Sequence, residues 1–389
     1  MVTLLKKIPA EFVICLLTAL ASYTAMALLF LYPLILSIKG FSPLEIGAAW
    51  VAFEIALVLG RPWCNIFLHE HGTKKGLILG ALMMAAGIIL LALFTFFPVI
   101  ILGRIIQGAG WGLFIVSNNL HNARILPVEI RGLGFGLAGI APILPQMTFF
   151  PLGEWFVLSG HILTVFLMAT LACILSSLIA LGITSGVESK DKRLSFHALA
   201  RQYWQDKEIR AILLAGSAFA MLAAPVLPYM ANGAKEWGTV GSAFLLPAAL
   251  TSLIMRLFLS RTVDHLGNRL LRPFFLISCA GLTFSCWTST TLSMFTGGIL
   301  YGIGSGLIYP LIFSEIARAS KGQNMTGLFV LFNTFIDLVW VVAPLAAAFL
   351  AQLVGFGWML RVISIIIGGC VLFLSLKIWP CLQDNRREN

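Results

Sequence analysis

Charge is what this chain has least of. Only 11% of its 389 residues are Asp, Glu, Lys or Arg, against roughly a quarter in a soluble domain. That deficit excludes a soluble core-and-surface protein. With 59% hydrophobic residues and a mean hydropathy of +0.95, the composition fits a polytopic membrane protein in which lipid replaces water. Cysteine pairing is also missing. Cys15, Cys64, Cys173, Cys279, Cys286, Cys370 and Cys381 form no C-x-x-C pair and sit mostly in apolar runs, so neither a disulfide framework nor a zinc site is indicated. There is no Walker sequence, catalytic triad or metalloprotease helix, so an ATP-driven pump and an enzyme are not expected, and neither is a cofactor or a metal. No continuous basic face is present to turn the net charge of +10 toward nucleic acid.

Long apolar runs are what the chain has in abundance. The N-terminus imitates a signal peptide, with Lys6 and Lys7 before an apolar run and Ala25-Met-Ala27 as a cleavage-like site. The run continues to Ile38, long enough at ~1.5 Å per residue to cross a bilayer, and reads as a retained first span. A hydropathy window of about 19 residues places spans near 10–37, 44–66, 76–96, 99–121, 133–157 and 160–184. After a polar stretch, six more follow near 209–231, 239–259, 270–289, 291–313, 326–352 and 357–379. The expected fold is an all-α membrane protein of twelve transmembrane helices. It is organised as an N-terminal bundle at 1–184, a cytoplasmic linker at 185–208 and a C-terminal bundle at 209–389. With both termini cytoplasmic, all but four of the 26 Lys and Arg fall on the cytoplasmic side, the exceptions being Lys39, Arg104, Lys235 and Arg361. This positive-inside bias sets the orientation and explains the net charge, which contacts anionic headgroups of the bilayer.

The two halves repeat. Arg61-x3-Asn65-x3-His69-x2-Gly72 between spans 2 and 3 recurs as Arg256-x3-Ser260-x3-Asp264-x2-Gly267, displaced by 195 residues. Gly108, Gly110 and Gly112 recur as Gly302, Gly304 and Gly306, displaced by 194, as does Ala123-Arg124 in Ala317-Arg318. Pro151-Leu152 answers Pro344-Leu345 at 193. The steady displacement implies a duplication into two pseudo-symmetric six-helix bundles.

Twelve spans in repeated halves, with these motifs, resemble the major facilitator superfamily over the whole chain. Arg61-Pro62, Gly72 and Lys74-Lys75 match parts of that family's R-P-x-x-G-x-L-x-D-R-x-G-R-K signature, with Asn65 and His69 in place of Gly and Asp. Arg104-Ile-Ile-Gln107-Gly108 resembles R-x-x-Q-G, and Pro127-x3-Arg131-Gly132 resembles P-x-x-x-R-G. The span 5 motif of drug/proton antiporters is poorly met. The resemblance implies a secondary transporter with a midplane solute site between two rocking bundles. It implies a cytoplasmic gate drawn here from Arg61, His69, Gly72, Arg131, Arg256, Asp264 and Gly267. The Arg-Pro opening is most similar to bacterial efflux permeases. Proton-coupled export of a small amphipathic solute by antiport across the inner membrane is therefore the first expectation. Proton-coupled import of a siderophore, nutrient or metabolite is the second. A monomer is expected.

An ionisable group near the bilayer centre costs about 2.5–3.5 kcal/mol on insertion scales, so each such residue asks for a reason. Glu54 lies near the midplane of span 2 and Asp337 near that of span 11. The resemblance brings those spans face to face, and both acids are proton-carrier candidates, with local hydrogen bonding as the plainer reading. Arg104 joins them, either responding to protonation or binding an anionic solute by resemblance, or forming a structural pair with Glu54. Glu154 is expected to meet water near the outer end of span 5. Cavity candidates come from spans 1, 4, 7 and 10, chiefly Tyr23, Tyr32, Gln107, Trp111, Asn118, Asn119, Tyr229, Asn232, Tyr301, Ser305 and Tyr309, with Ser22 and Thr24 beside them. Asn333 and Trp340 of span 11 join this set on position alone. Gly134-x-Gly136-x-x-Gly139 spells a dinucleotide fingerprint but lies in an apolar helix without a preceding strand, so it reads as close helix packing. His69-Glu70-His71 lacks further ligands for a metal and sits where relatives carry a gate acid.

Overall fold

A computed structural model describes residues 8–127, 137–184, 206–266, 271–319 and 325–377. Every regular element among them is an α-helix. The helices are α1 (Ala10–Leu29), α2 (Tyr32–Ile38), α3 (Pro43–Leu93), α4 (Phe97–Ile125), α5 (Ile143–Leu158) and α6 (Ile162–Ala180), then α7 (Lys207–Ala223), α8 (Met230–Glu236), α9 (Ser242–Leu266), α10 (Leu271–Thr288), α11 (Thr291–Ala319), α12 (Met325–Val354) and α13 (Phe356–Lys377). Eight stretches are long and apolar enough to cross a membrane. Span 7 falls short because it is broken between α7 and α8, and the apolar part of α9 is confined to Ser242–Phe258.

Local chemistry explains where helices stop. Pro33 opens α2, and its missing N–H leaves a break in span 1 after Leu29. Pro225 and Pro228 break span 7 in the same way. There the N–H of Val226 turns to Ala223 O, and Leu222 O accepts the Tyr301 hydroxyl instead, at 3.2 Å. Asp206 caps α7 by accepting from Glu208 N and Ile209 N. Spans 2 and 3 run as one helical stretch interrupted at Gly72 alone, whose φ of 76° lies in the left-handed region that favours glycine. The loop expected over 67–75 thus shrinks to one residue. His69, Glu70 and His71 form the exposed last turn before it, with His71 stacked on Phe67 at 4.5 Å.

The chain divides into two compact units. Unit 1 comprises Met1–Phe41 and Ala48–Asp191, and unit 2 comprises Ser42–Gly47 and Lys192–Asn389. In unit 1, a methyl group added to Gly108 would meet Phe53 O, one on Gly112 would contact Leu57, and one on Gly110 would meet Gly80 O. Span 4 is therefore pressed between spans 2 and 3 along two glycine edges. Unit 2 repeats the arrangement. Gly302 faces Ala248 O, Gly306 faces Ser252, and Gly304 faces Phe274 O. Gly87 against Gly103 is likewise matched by Gly281 against Gly297. Residue for residue, 53 answers 248, 57 answers 252 and 103 answers 297, so the sequence repeat is a repeat of packing. Span 1 packs on span 6 through Ser22 and Ser176, whose hydroxyls lie 2.8 Å apart, while Ser176 donates to Thr18 O at 2.9 Å.

Candidate functional site

Arg104 is the largest fully buried side chain of unit 1. Its Nε donates to Ala49 O at 3.0 Å and its Nη1 to Gln107 Oε1 at 2.7 Å. Three rings surround the guanidinium, with centres 4.7 Å away for Phe53, 5.3 Å for Trp50 and 5.5 Å for Tyr32. Each such contact is worth about 0.5–2 kcal/mol when desolvated, which offsets part of the cost of holding a cation in an apolar bundle. Glu54 is buried on the same span as Trp50 and Phe53, within electrostatic reach of Arg104. Spans 1, 2 and 4 thus converge on one charged centre.

Around that centre, polar atoms are left over. Tyr32 Oη, Trp50 Nε1 and Gln107 Nε2 are buried and meet no hydrogen-bonding partner among the described residues. A buried donor in that state costs about 1–3 kcal/mol. All three can donate, and Arg104 only donates, so the group that would satisfy them is rich in acceptor oxygens.

The centre has no twin. The packing register maps Arg104 onto Gly298 and Glu54 onto Ala249. Gly298 presses its backbone toward Phe244 O, close to where Arg104 bonds Ala49 O in unit 1. The duplication kept the scaffold and left the ionisable pair in one copy. Trp50 and Phe53 escape a search confined to polar residues. Their signal was the spacing 50, 53, 54 and 57, which sets them with Glu54 on one side of span 2.

The family description "Major Facilitator Superfamily" matches residues 14–314. This chain belongs to the major facilitator superfamily. It is 24% identical over 330 residues to the uncharacterized MFS-type transporter YhhS of Escherichia coli (strain K12), covering 79% of this chain and 78% of that protein. It is 25% identical over 329 residues to YhhS of Salmonella enteritidis PT4 (strain P125109), covering 79% and 77%. Its fold is similar to the crystal structure of the human organic anion transporter MFSD10 (TETRAN), with a TM-score of 0.67 and 16% identity over 94% of this chain and all of that one. The chain is accordingly an all-helical, multi-pass membrane protein of the superfamily fold, a secondary transporter and not an enzyme.

The other candidates fall into distinct settings. In unit 1, Tyr23 meets Trp111 edge-on at 5.0 Å, tying span 1 to span 4. Asn118 is buried and Asn119 exposed. Ser22 is held in the span 1–span 6 contact and Thr24 donates back to Leu20 O, so neither hydroxyl is left for a cavity. Glu154, expected to meet water, is buried. Arg61 is half-buried and His69 exposed. In unit 2, Tyr229 donates at 3.0 Å to Pro344 O inside the unbroken α12, and Tyr301 donates at 3.2 Å to Leu222 O at the break of span 7, so both hydroxyls are taken up by backbone carbonyls. Asn232 and Ser305 are buried, and Asn333, Asp337 and Trp340 are half-buried on α12. Arg256 Nε donates to Gly306 O at 3.1 Å, joining span 8 to span 10. Arg131 and Gly267, and the side chains of Asp264 and Tyr309, lie outside the described residues, as does most of the 185–208 linker.

Proposed function

We propose that this superfamily member is a proton-coupled transporter of a small amphipathic solute in the bacterial inner membrane, with both termini cytoplasmic. Glu54 and Arg104 carry the coupling in this reading. The observation that supports it is the Arg104 centre, a buried cation and a buried acid present in one half of a duplicated scaffold. A carboxylate there compensates the guanidinium, and a protonated Glu54 leaves the positive charge uncompensated. Taking up a proton therefore changes what the cavity binds, which is the requirement for coupling. Export by antiport is favoured by the Arg61-Pro62 opening of the segment between spans 2 and 3. Asp337 of span 11 is the second proton carrier in this scheme.

A second reading is favoured by the surplus donors of Tyr32, Trp50 and Gln107. An acceptor-rich anionic group suits them, and it binds best when Glu54 is protonated. Proton and anion then travel together, as in import of a siderophore, nutrient or metabolite bearing a carboxylate or phosphate. The test is initial uptake into proteoliposomes across a panel of anionic, neutral and cationic amphipathic solutes, with and without an imposed pH gradient. Accumulation driven by a gradient from the side opposite to the solute supports antiport; accumulation from the same side supports symport. Transport indifferent to the gradient overturns proton coupling. Gradient-driven transport that persists in Glu54→Gln and in Asp337→Asn overturns the choice of carriers.

A further inference from the structure

Far along span 4 from Arg104, a second buried polar cluster joins the ends of several helices in unit 1. His121, four residues before the end of α4, has no exposed side-chain surface. Its Nδ1 lies 2.7 Å from the Thr73 hydroxyl, the residue immediately after the Gly72 break. Its Nε2 lies 3.5 Å from Glu11 Oε1, in the first turn of α1. Glu11 Oε1 also accepts from Thr184 N at 3.1 Å, just past α6. Spans 1, 3, 4 and 6 thus meet at one imidazole and one carboxylate.

The groups around the imidazole are few and nameable. Glu11 is the charged group that faces it from α1, with the buried Cys15 thiol one turn further along and near that carboxylate. From the start of span 3 the facing group is the neutral Thr73 hydroxyl, followed by Lys74, which is half-buried. From the end of span 6 it is the backbone N–H of Thr184 on the same carboxylate. On α4 itself the nearest charge is the half-buried Arg124, three residues on.

We propose that His121 and Glu11 form a second proton-binding site, separate from Glu54 and Arg104, at the end of unit 1 that carries the Gly72 break. The geometry accommodates the proton in either state. With the imidazole neutral and Glu11 ionised, Nε2–H faces the carboxylate and Nδ1 accepts from the Thr73 hydroxyl. With the imidazole charged, Nδ1–H donates to Thr73 Oγ1 and Nε2–H still faces Glu11, so the threonine hydroxyl reverses its role. The Glu11 side chain is 20% exposed, so it touches solvent on one side and His121 on the other and can pass a proton inward. On the orientation proposed above, this site samples cytoplasmic pH. Because its residues come from four spans, a change of charge there acts on how the helix ends of unit 1 pack.

The test is histidine-selective nitrogen NMR on the full-length protein in lipid nanodiscs, titrated from about pH 4.5 to 9. It needs no solute and so stands or falls apart from the transport reading. His121→Gln identifies the signal by its loss among the six histidines, and Thr73→Val identifies it independently by a change of tautomer, should the first variant not fold. The expected result is one signal that titrates with a single proton and whose midpoint moves by about one pH unit in Glu11→Gln, while the exposed His161 is unchanged. An imidazole that keeps one protonation state across the range overturns the proposal. So does a midpoint that is the same with and without the Glu11 carboxylate.

Discussion

The Arg104 guanidinium lies 4.7 Å from the ring centre of Phe53, and the residue after Phe53 is Glu54. Cation, ring and acid are thereby held on one side of span 2, where Gly108 lets the backbone of span 4 press against Phe53 O. The consequence is a demand for guanidinium shape as well as charge. Lysine is a point charge that cannot serve Ala49 O and Gln107 Oε1 together while lying against three rings. Arg104→Lys is expected to lower gradient-driven uptake at least about tenfold, since a hydrogen bond to a charged group is worth about 1.5–3 kcal/mol. The lost contacts are also expected to lower stability by about 1–3 kcal/mol, so uptake is compared per folded protein after thermal unfolding in detergent. Uptake equal to wild type in Arg104→Lys would show that charge alone suffices.

Glycine contacts set the distance between helices, and their tolerance should follow local space. A methyl group on Gly87 would lie 2.6 Å from Gly103 O, and one on Gly281 would lie 2.5 Å from Gly297 O. Neither carbonyl can retreat without moving its helix. Gly87→Ala and Gly281→Ala are each expected to destabilise by about 1–3 kcal/mol, as overpacking does. Gly368 has no atom within 4 Å of an added methyl, and Gly368→Ala is expected to be neutral or stabilising by up to about 1 kcal/mol. Apparent melting temperatures of the three variants in one detergent check the ordering. Equal temperatures would remove the packing argument.

Arg361 is one of the four cations that the positive-inside pattern leaves unexplained, and its surroundings supply the reason. Its Nε donates to Cys286 O and its Nη2 to Ser289 Oγ, each at 3.0 Å, where α10 ends. The guanidinium also lies over Trp358 at 4.7 Å and Trp237 at 5.9 Å. A cation at a helix C-terminus meets the carbonyls that have no helical partner. Arg361→Ala is expected to lower stability by about 1–2 kcal/mol and to leave the initial uptake rate of the folded fraction within about twofold. Lost uptake with an unchanged melting temperature would instead place Arg361 on the transport path.

The fold was legible because both of its determinants are carried by composition and spacing. Apolar runs separated by basic turns mark the helices, and the displacement of 193–195 residues marks the duplication. Carrying that displacement past the glycines would also have exposed the solitary status of Arg104 and Glu54, through Gly298 and Ala249. What spacing could not convey is which polar atoms are already occupied. Tyr32, Tyr229 and Tyr301 look alike as tyrosines within apolar spans. Only their contacts separate a tyrosine that serves a backbone carbonyl from one whose hydroxyl is left over. His121 carries no signal in the sequence for a related reason. Its partners, Glu11 and Thr73, are far from it in sequence and follow no repeat.

Those tyrosines therefore give the sharpest separation of scaffold from site. Tyr229 and Tyr301 donate to Pro344 O and Leu222 O. Removing either hydroxyl is expected to cost about 1 kcal/mol, the net value of a hydrogen bond. Solute affinity is expected to change less than about threefold. The Tyr32 hydroxyl has no described partner beside Arg104. Tyr32→Phe removes an unsatisfied buried group, so stability is expected to hold or rise by up to about 1 kcal/mol. If that hydroxyl meets the solute, affinity should fall about tenfold, because the acceptor that it serves is left unpaired inside the cavity. Thermal unfolding and counterflow affinity, measured on the three Phe variants together, check the contrast. Should Tyr32→Phe destabilise like the other two and bind solute normally, its hydroxyl belongs to the scaffold and the Arg104 centre loses one of its proposed solute contacts.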